Sequence, residues 1–143
     1  MLDKSLVEEK FKNIREYLTE IEEILKDDEK DIEKDFRSLR TLERNFQLIV
    51  DEIIDINMHL IRELELKTAD DFQSTFRVLA ESGILPYDFA EKIAPVVGLR
   101  NMLIHRYEKV EKRIFINHMR EEYGDFTQYM KYVDEYLKTR QNS

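Results

Sequence analysis

The sequence predicts an all-α fold, an antiparallel up-and-down bundle of four long helices with one additional short helix. Two observations carry this. Apolar residues recur at steps of three and four along most of the chain, the period that lines one face of a helix. The composition also suits long helices with charged outer faces: of 143 residues, 38% are charged and 42% hydrophobic, with only 3 Gly and 2 Pro. So few turn residues argue against an all-β chain. The length fits one compact domain spanning residues 1–143.

The first helix is expected to start near Ser5, with Glu8 placed for a capping box. Val7, Phe11, Ile14, Leu18, Ile21 and Leu25 follow as one apolar stripe. Asp27-Asp28-Glu29-Lys30-Asp31 interrupts it and reads as a polar turn leading into the acidic first turn of the next helix. That second helix carries Leu39, Leu42, Phe46, Ile49, Ile53, Ile56, Leu60 and Leu64, and should end near Lys67. Thr68 is positioned to cap a short third helix with Phe72, Phe76 and Leu79. Gly83 reads as a helix terminator and Pro86 as a first-turn proline of the fourth helix. Phe89, Ile93, Val96, Val97 and Leu103 form the fourth stripe, with a kink or restart expected at Pro95. A fifth helix is expected from about Lys112 to Lys138, striped by Phe115, Met119, Tyr123, Phe126, Met130, Val133 and Leu137. Short connections between amphipathic helices imply antiparallel packing, and burying each stripe supplies most of a helix's stability.

The chain lacks cysteine, which excludes disulfides, zinc thiolates and thiol catalysis. The acidic run at 27–35 has no metal-loop spacing and reads as solvated, so neither metal nor cofactor is expected. No apolar run reaches the length of a membrane span, and MLDKSLVEEK lacks the apolar core of a signal peptide, so a cytoplasmic protein without membrane contact is expected. A net charge of −8 argues against a broad nucleic-acid-binding surface. The charge is uneven, however. Residues 1–35 hold 13 acids and 7 bases, whereas residues 98–114 hold five bases against two acids. A local cationic site on an acidic protein can still bind phosphate.

That basic segment contains Arg100-Asn101-Met102-Leu103-Ile104-His105-Arg106-Tyr107, which gathers a guanidinium, an amide, an imidazole and a phenol. RNA cleavage without a metal needs such groups. A base takes the proton of a 2′-hydroxyl, an acid protonates the departing 5′-oxygen, and a cation stabilises charge on the phosphoryl oxygens. His105 can move the proton, Arg100 can fork onto phosphate, and Asn101 can donate to a phosphate oxygen, fix a histidine tautomer or simply cap a helix end. One copy offers one good proton-transfer group, so a symmetric homodimer that apposes two copies would complete the site. On an ideal helix Asn101 and His105 share a face while His105 and Tyr107 diverge. For all to line one pocket the helix must end or distort around His105. Spacing alone favours the plainer reading, a solvated helix end bearing an incidental histidine.

Gly98-Leu99-Arg100-Asn101-Met102-Leu103-Ile104-His105-Arg106-Tyr107 resembles the R-x-x-x-x-H-x-Y signature of HepT-like proteins in the HEPN superfamily, and Leu39 to Phe46, continuing to Asp55, resembles that family's second helix. The resemblance implies a HEPN-like helical bundle that dimerises and places both motifs in a cleft. It implies a metal-independent endoribonuclease, the toxin of a toxin–antitoxin pair whose antitoxin is a minimal nucleotidyltransferase. It implies that Arg100 and His105 are the catalytic pair, that Asn101 is the polar residue following the arginine, and that Tyr107 accepts AMP from the antitoxin. By the residues themselves, Tyr107 could instead be a packed tyrosine. The alternative function is a non-catalytic binding subunit or AMP-modification substrate of a partner nucleotidyltransferase; a purely structural bundle is a third.

Elsewhere, Arg44 and Asp55 lie near one helical face and could pair with the motif or with each other, a structural ion pair being the expected use. His59 is expected to be a partly buried packing residue and His118 a surface one. The aromatic positions of the fifth helix are expected to be core.

Overall fold

The computed structural model describes residues 1–105 and 110–141. These form eight helices: α1 Lys4–Ile24, α2 Glu29–Lys34, α3 Phe36–Glu63, α4 Thr75–Glu81, α5 Tyr87–Ile93, α6 Val96–His105, α7 Lys112–Glu122 and α8 Gly124–Gln141. The all-α expectation holds, and the differences lie in where helices start, stop and break. α3 is the central element: α1 lies along it, α4 and α6 pack against it, α2 bridges it to α7, and α8 closes against α1.

The expected stripes are the buried faces. Val7, Phe11, Ile14, Leu18 and Ile21 of α1 are buried, as are Leu39, Leu42, Phe46, Ile49, Ile53, Ile56 and Leu60 of α3. Aromatic residues from the last two helices join that core. Phe46 meets Phe115 edge-on with ring centroids 5.7 Å apart and lies 6.1 Å from Phe126, while Phe89 meets Tyr132 at 5.1 Å. Such pairs add about 0.5–1.5 kcal/mol beyond the area they bury.

Helix ends follow side-chain chemistry that the stripes do not encode. Asp3, not Ser5 with Glu8, caps α1, its Oδ1 accepting from the amide of Leu6 at 3.0 Å. The acidic run is not simply solvated. It forms its own helix, α2, around buried Ile32, and Glu33 and Glu29 hold Arg113 of α7 at 2.9 and 3.7 Å. Asp35 then caps α3, accepting from the Arg37 amide at 3.1 Å and the Ser38 hydroxyl at 2.9 Å.

α3 stops at Glu63 rather than near Lys67. Glu65 takes a left-handed φ of 54°, and the amides of Glu65 and Leu66 donate back to the carbonyls of Arg62 and Ile61. This is the Schellman arrangement. Gly83 repeats it after α4 with φ 79°, its amide bonding Ala80 and that of Ile84 bonding Leu79. Thr68 caps nothing. α4 starts only at Thr75, after a turn in which Ser74 and Asp71 exchange bonds: the Ser74 amide donates to Asp71 Oδ1 at 2.7 Å and the Asp71 amide to Ser74 Oγ at 3.2 Å. Phe72 therefore precedes the helix and is exposed.

Pro86 stands at the cap of α5 rather than in its first turn. Pro95 separates α5 from α6, the expected restart, because proline lacks the amide a continuous helix would use there. The expected fifth helix is also divided, at Tyr123, with Gly124 opening α8. Glycine is a poor helix former; beyond the break, Tyr129 is buried beside the expected Phe126, Met130, Val133 and Leu137.

Candidate active site

α6 carries the motif, and Pro95 and Leu103 fix how it is presented. The proline precedes a new helix, and buried Val96, Val97 and Leu103 press α6 onto the bundle. Arg100 and Asn101 are then half-buried, and Met102, Ile104 and His105 face outward.

Arg100 does not reach into open solvent. Its Nε donates to Asp51 Oδ1 of α3 at 2.8 Å, and its Nη2 lies 2.7 Å from the same oxygen as an ion pair. Its Nη1 donates to Asn101 Oδ1 at 3.0 Å. A guanidinium only donates, so the Asn101 carbonyl oxygen is the atom facing Arg100, and its amide nitrogen keeps two donors for another acceptor. The Arg100 side chain is 21% exposed and that of Asp51 37%, so the pair lies at the surface but is not fully hydrated. Charge-assisted bonds of this length are among the stronger ones a protein makes.

His105 is the last residue of α6. It follows Asn101 by one helical turn, on the same face. Whether the helix ends or distorts after His105, as a pocket shared with Tyr107 would require, falls on residues outside the described ones. Tyr107 and Arg106 lie outside the described residues. Beside the motif runs a groove of about 590 Å³, lined by Leu99 and Met102 of α6, Ile114 and His118 of α7, and Lys92. His118 is half-buried in that lining, not a plain surface residue. Lys92 approaches Asp125 at 3.3 Å and Glu122 at 3.9 Å, and Glu122 titrates above the ordinary carboxylate range because it shares a hydrogen bond with Asp125.

The remaining candidates are elsewhere. Arg44 bonds Gln47 at 3.4 Å and Asp55 pairs with Lys10 at 3.1 Å, so among the described residues Asp55 makes a structural ion pair, with Lys10 rather than Arg44. His59 is buried, its Nε2 accepting from the Asp3 amide at 3.0 Å. Among the bases of residues 98–114, Arg113 is bound to α2 and Arg100 to Asp51, so the net positive charge seen along the sequence is partly neutralised in space. Asp51 is the member of the site that sequence reasoning missed. It is 49 positions from Arg100, and no spacing rule links two helices. Among the described residues no group of three or more His, Asp or Glu side chains could hold a metal ion, and no helix is long and apolar enough to cross a membrane.

An all-α bundle with an Arg-Asn pair one turn before a histidine on the same helix is the arrangement the HEPN resemblance implied. The chain belongs to the Ribonuclease HepT-like family, whose model matches residues 14–133. Relatives include the tRNA nuclease HepT of Aphanizomenon flos-aquae, 27% identical over 139 residues, 96% of this chain and 94% of that one. The mRNA nuclease HepT of Shewanella oneidensis is 24% identical over 100 residues, 70% of this chain and 75% of that one. Among solved structures, a tri-AMPylated HEPN toxin of Shewanella oneidensis in complex with MNT antitoxin shares the fold with a TM-score of 0.86, at 21% identity over 93% of this chain and 99% of that one. The cytosolic protein YutE of Bacillus subtilis, of unknown function, superposes with a TM-score of 0.70 at 14% identity over 89% and 90% of the two chains.

Proposed function

We propose that this chain is the toxin of a HepT-type toxin–antitoxin pair, an endoribonuclease that acts in the cytoplasm as a homodimer of single-domain chains. The observation that carries the reading is the presentation of Arg100, Asn101 and His105 on one helix, with Arg100 and Asn101 bonded to each other and His105 one turn beyond Asn101, in a chain of the HepT-like family. His105 takes the proton of a ribose 2′-hydroxyl. The 2′-oxygen attacks the adjacent phosphorus, the bond to the 5′-oxygen breaks, and a 2′,3′-cyclic phosphate forms. The leaving oxygen takes up a proton from the second copy's histidine. Arg100 stabilises the charge on the phosphoryl oxygens, and Asn101 donates to one of them.

Positioned acid–base catalysis typically contributes 10²–10⁴-fold, and removal of a single oxyanion donor costs about 10²–10³-fold. Cleavage of RNA by the purified protein in excess chelator should therefore fall by at least about a hundredfold in His105→Ala and in Arg100→Ala. Retention of cleavage by both variants, or none by the parent, overturns the reading.

Regulation is proposed at Tyr107. Its phenolate attacks the α-phosphorus of ATP held by a minimal nucleotidyltransferase antitoxin, pyrophosphate leaves, and AMP remains on the tyrosine. The tri-AMPylated state of the Shewanella oneidensis toxin supports this. It also supports the second reading, in which the chain is a binding subunit or modification substrate without nuclease activity. AMP transfer that is lost in Tyr107→Phe, with no RNA cleavage by the unmodified parent, selects that second reading.

A further inference from the structure

We propose that Asp51 is a positioning residue for RNA cleavage, holding the Arg100 guanidinium in the orientation that receives the phosphoryl group. The proposal rests on the ribonuclease reading above. Arginine is long and flexible, and at a half-exposed position on a short helix its guanidinium would sample many rotamers without a partner. Here one carboxylate oxygen of Asp51 takes the side edge of the guanidinium through Nε at 2.8 Å and Nη2 at 2.7 Å, while Nη1 bonds Asn101 Oδ1 at 3.0 Å. Each of the three nitrogens thus has an acceptor within 3.0 Å. A guanidinium carries five N–H groups, more than these contacts use, so donors remain for a phosphate oxygen.

Where Asp51 stands supports the role. It lies in the interior of α3, the 28-residue central helix, between buried Val50 and buried Ile53. Its backbone is therefore as firmly placed as any in the molecule. Arg100 reaches it from α6, whose own register is set by buried Val97 and Leu103. A rigid helix thus fixes the working group of a short one, as a precise site requires. The same contact gives Asn101 its orientation: with Oδ1 turned to Arg100, its Nδ2 is the end left for substrate.

The opposite possibility is a latch, in which Asp51 withholds Arg100 from RNA. The two make different kinetic predictions. Misplacing a catalytic group by about an ångström costs up to about a hundredfold. If Asp51 positions Arg100, the isosteric variant Asp51→Asn should lower kcat about tenfold to a hundredfold and leave KM within about threefold. Asp51→Glu, which keeps the charge, should retain more activity than Asp51→Asn. A kcat that is unchanged or raised in Asp51→Asn overturns the proposal, as does a loss confined to KM.

A second measurement does not depend on activity. The Arg100 Nε–H resonance, assigned by its loss in Arg100→Ala, should be ordered in the parent and broadened or exchanged away in both Asp51→Asn and Asp51→Ala. An Arg100 signal unaffected by both substitutions overturns the proposal even if either variant is poorly active through misfolding. A parent protein that leaves RNA intact removes the ribonuclease reading, and the Arg100 signal then still decides whether Asp51 holds the guanidinium.

Discussion

Tyr129 is fully buried, and its hydroxyl donates to Asn57 Oδ1 at 2.5 Å. Asn57 Nδ2 donates in turn to the Thr75 hydroxyl at 3.0 Å, which donates to the Phe72 carbonyl at 2.6 Å. The chain of bonds ties α8, α3 and the entry to α4 through an apolar interior. Burial holds the phenol well above its ordinary titration range, so it stays a neutral donor. Among the described residues no buried side-chain polar atom lacks a partner, and removing one end of this network would create such an orphan. Tyr129→Phe should cost about 1–3 kcal/mol, the penalty of an unsatisfied buried acceptor, without a change in fold. Urea titration measures it, and a loss below about 0.5 kcal/mol would mean that water or another donor satisfies Asn57. The spacing of Phe126, Met130, Val133 and Leu137 was legible as a core stripe. Tyr129 is core as expected of that helix's aromatics, but its bond to Asn57 was not legible, because it joins residues of two helices 72 positions apart. Asp51 escaped for a related reason. Its role depends on Arg100 of another helix, whereas its own neighbours show only an acid in an amphipathic segment.

Helix boundaries are decided by local bonds that a hydrophobic period does not carry. The end of α3 illustrates it. Glu65 adopts φ 54° to close the Schellman bonds, although its side chain gains nothing visible from that conformation and is exposed. The matching position after α4 is Gly83, where a left-handed φ costs no steric strain. A non-glycine residue held there costs of order 1 kcal/mol, offset in part by the greater freedom glycine has in the unfolded chain. Glu65→Gly should therefore stabilise the protein by up to about 0.5 kcal/mol, read as a higher urea midpoint with an unchanged slope. A lower midpoint would show that Glu65 makes a favourable contact in solution. Where the sequence did signal an end, the signal was steric. Pro95 and Gly83 restrict or free the backbone by themselves, so both stops were readable. The break at Tyr123 was not, since Gly124 alone is tolerated inside many helices.

The bundle's resistance to acid should depend on the docking of its first helix. His59 of α3 accepts the Asp3 amide, and Asp3 in turn caps α1. Burial first, and then the neighbouring Arg62, push the imidazole below its ordinary value of 6.5; Glu63 and Asp3 oppose this and the chain's amino terminus adds to it. The folded state thus binds a proton less readily than the unfolded one. The stabilisation is complete above pH 6.5 and is lost as pH falls below that value and through the depressed one. The melting temperature should fall between pH 7 and pH 5, and fall less in His59→Gln, whose amide oxygen can replace Nε2 as acceptor without titrating. Equal slopes in both proteins would show that another group carries the acid sensitivity. Asp35, Asp71 and Glu63 are held below the ordinary carboxylate range by their hydrogen bonds, so their contribution is lost only at lower pH.

By itself the sequence determined the all-α class, the stripes that became the core, the restart at Pro95 and the location of the motif on its own segment. These are properties of near neighbours along a chain, and helical periodicity, proline geometry and charge all act over a few residues. The fold then paired Arg100 with Asp51, bound Arg113 to the acidic run and turned Tyr129 inward onto Asn57. Each of those contacts joins residues dozens of positions apart. Their energies depend on distance and burial, which arise only when separate helices pack.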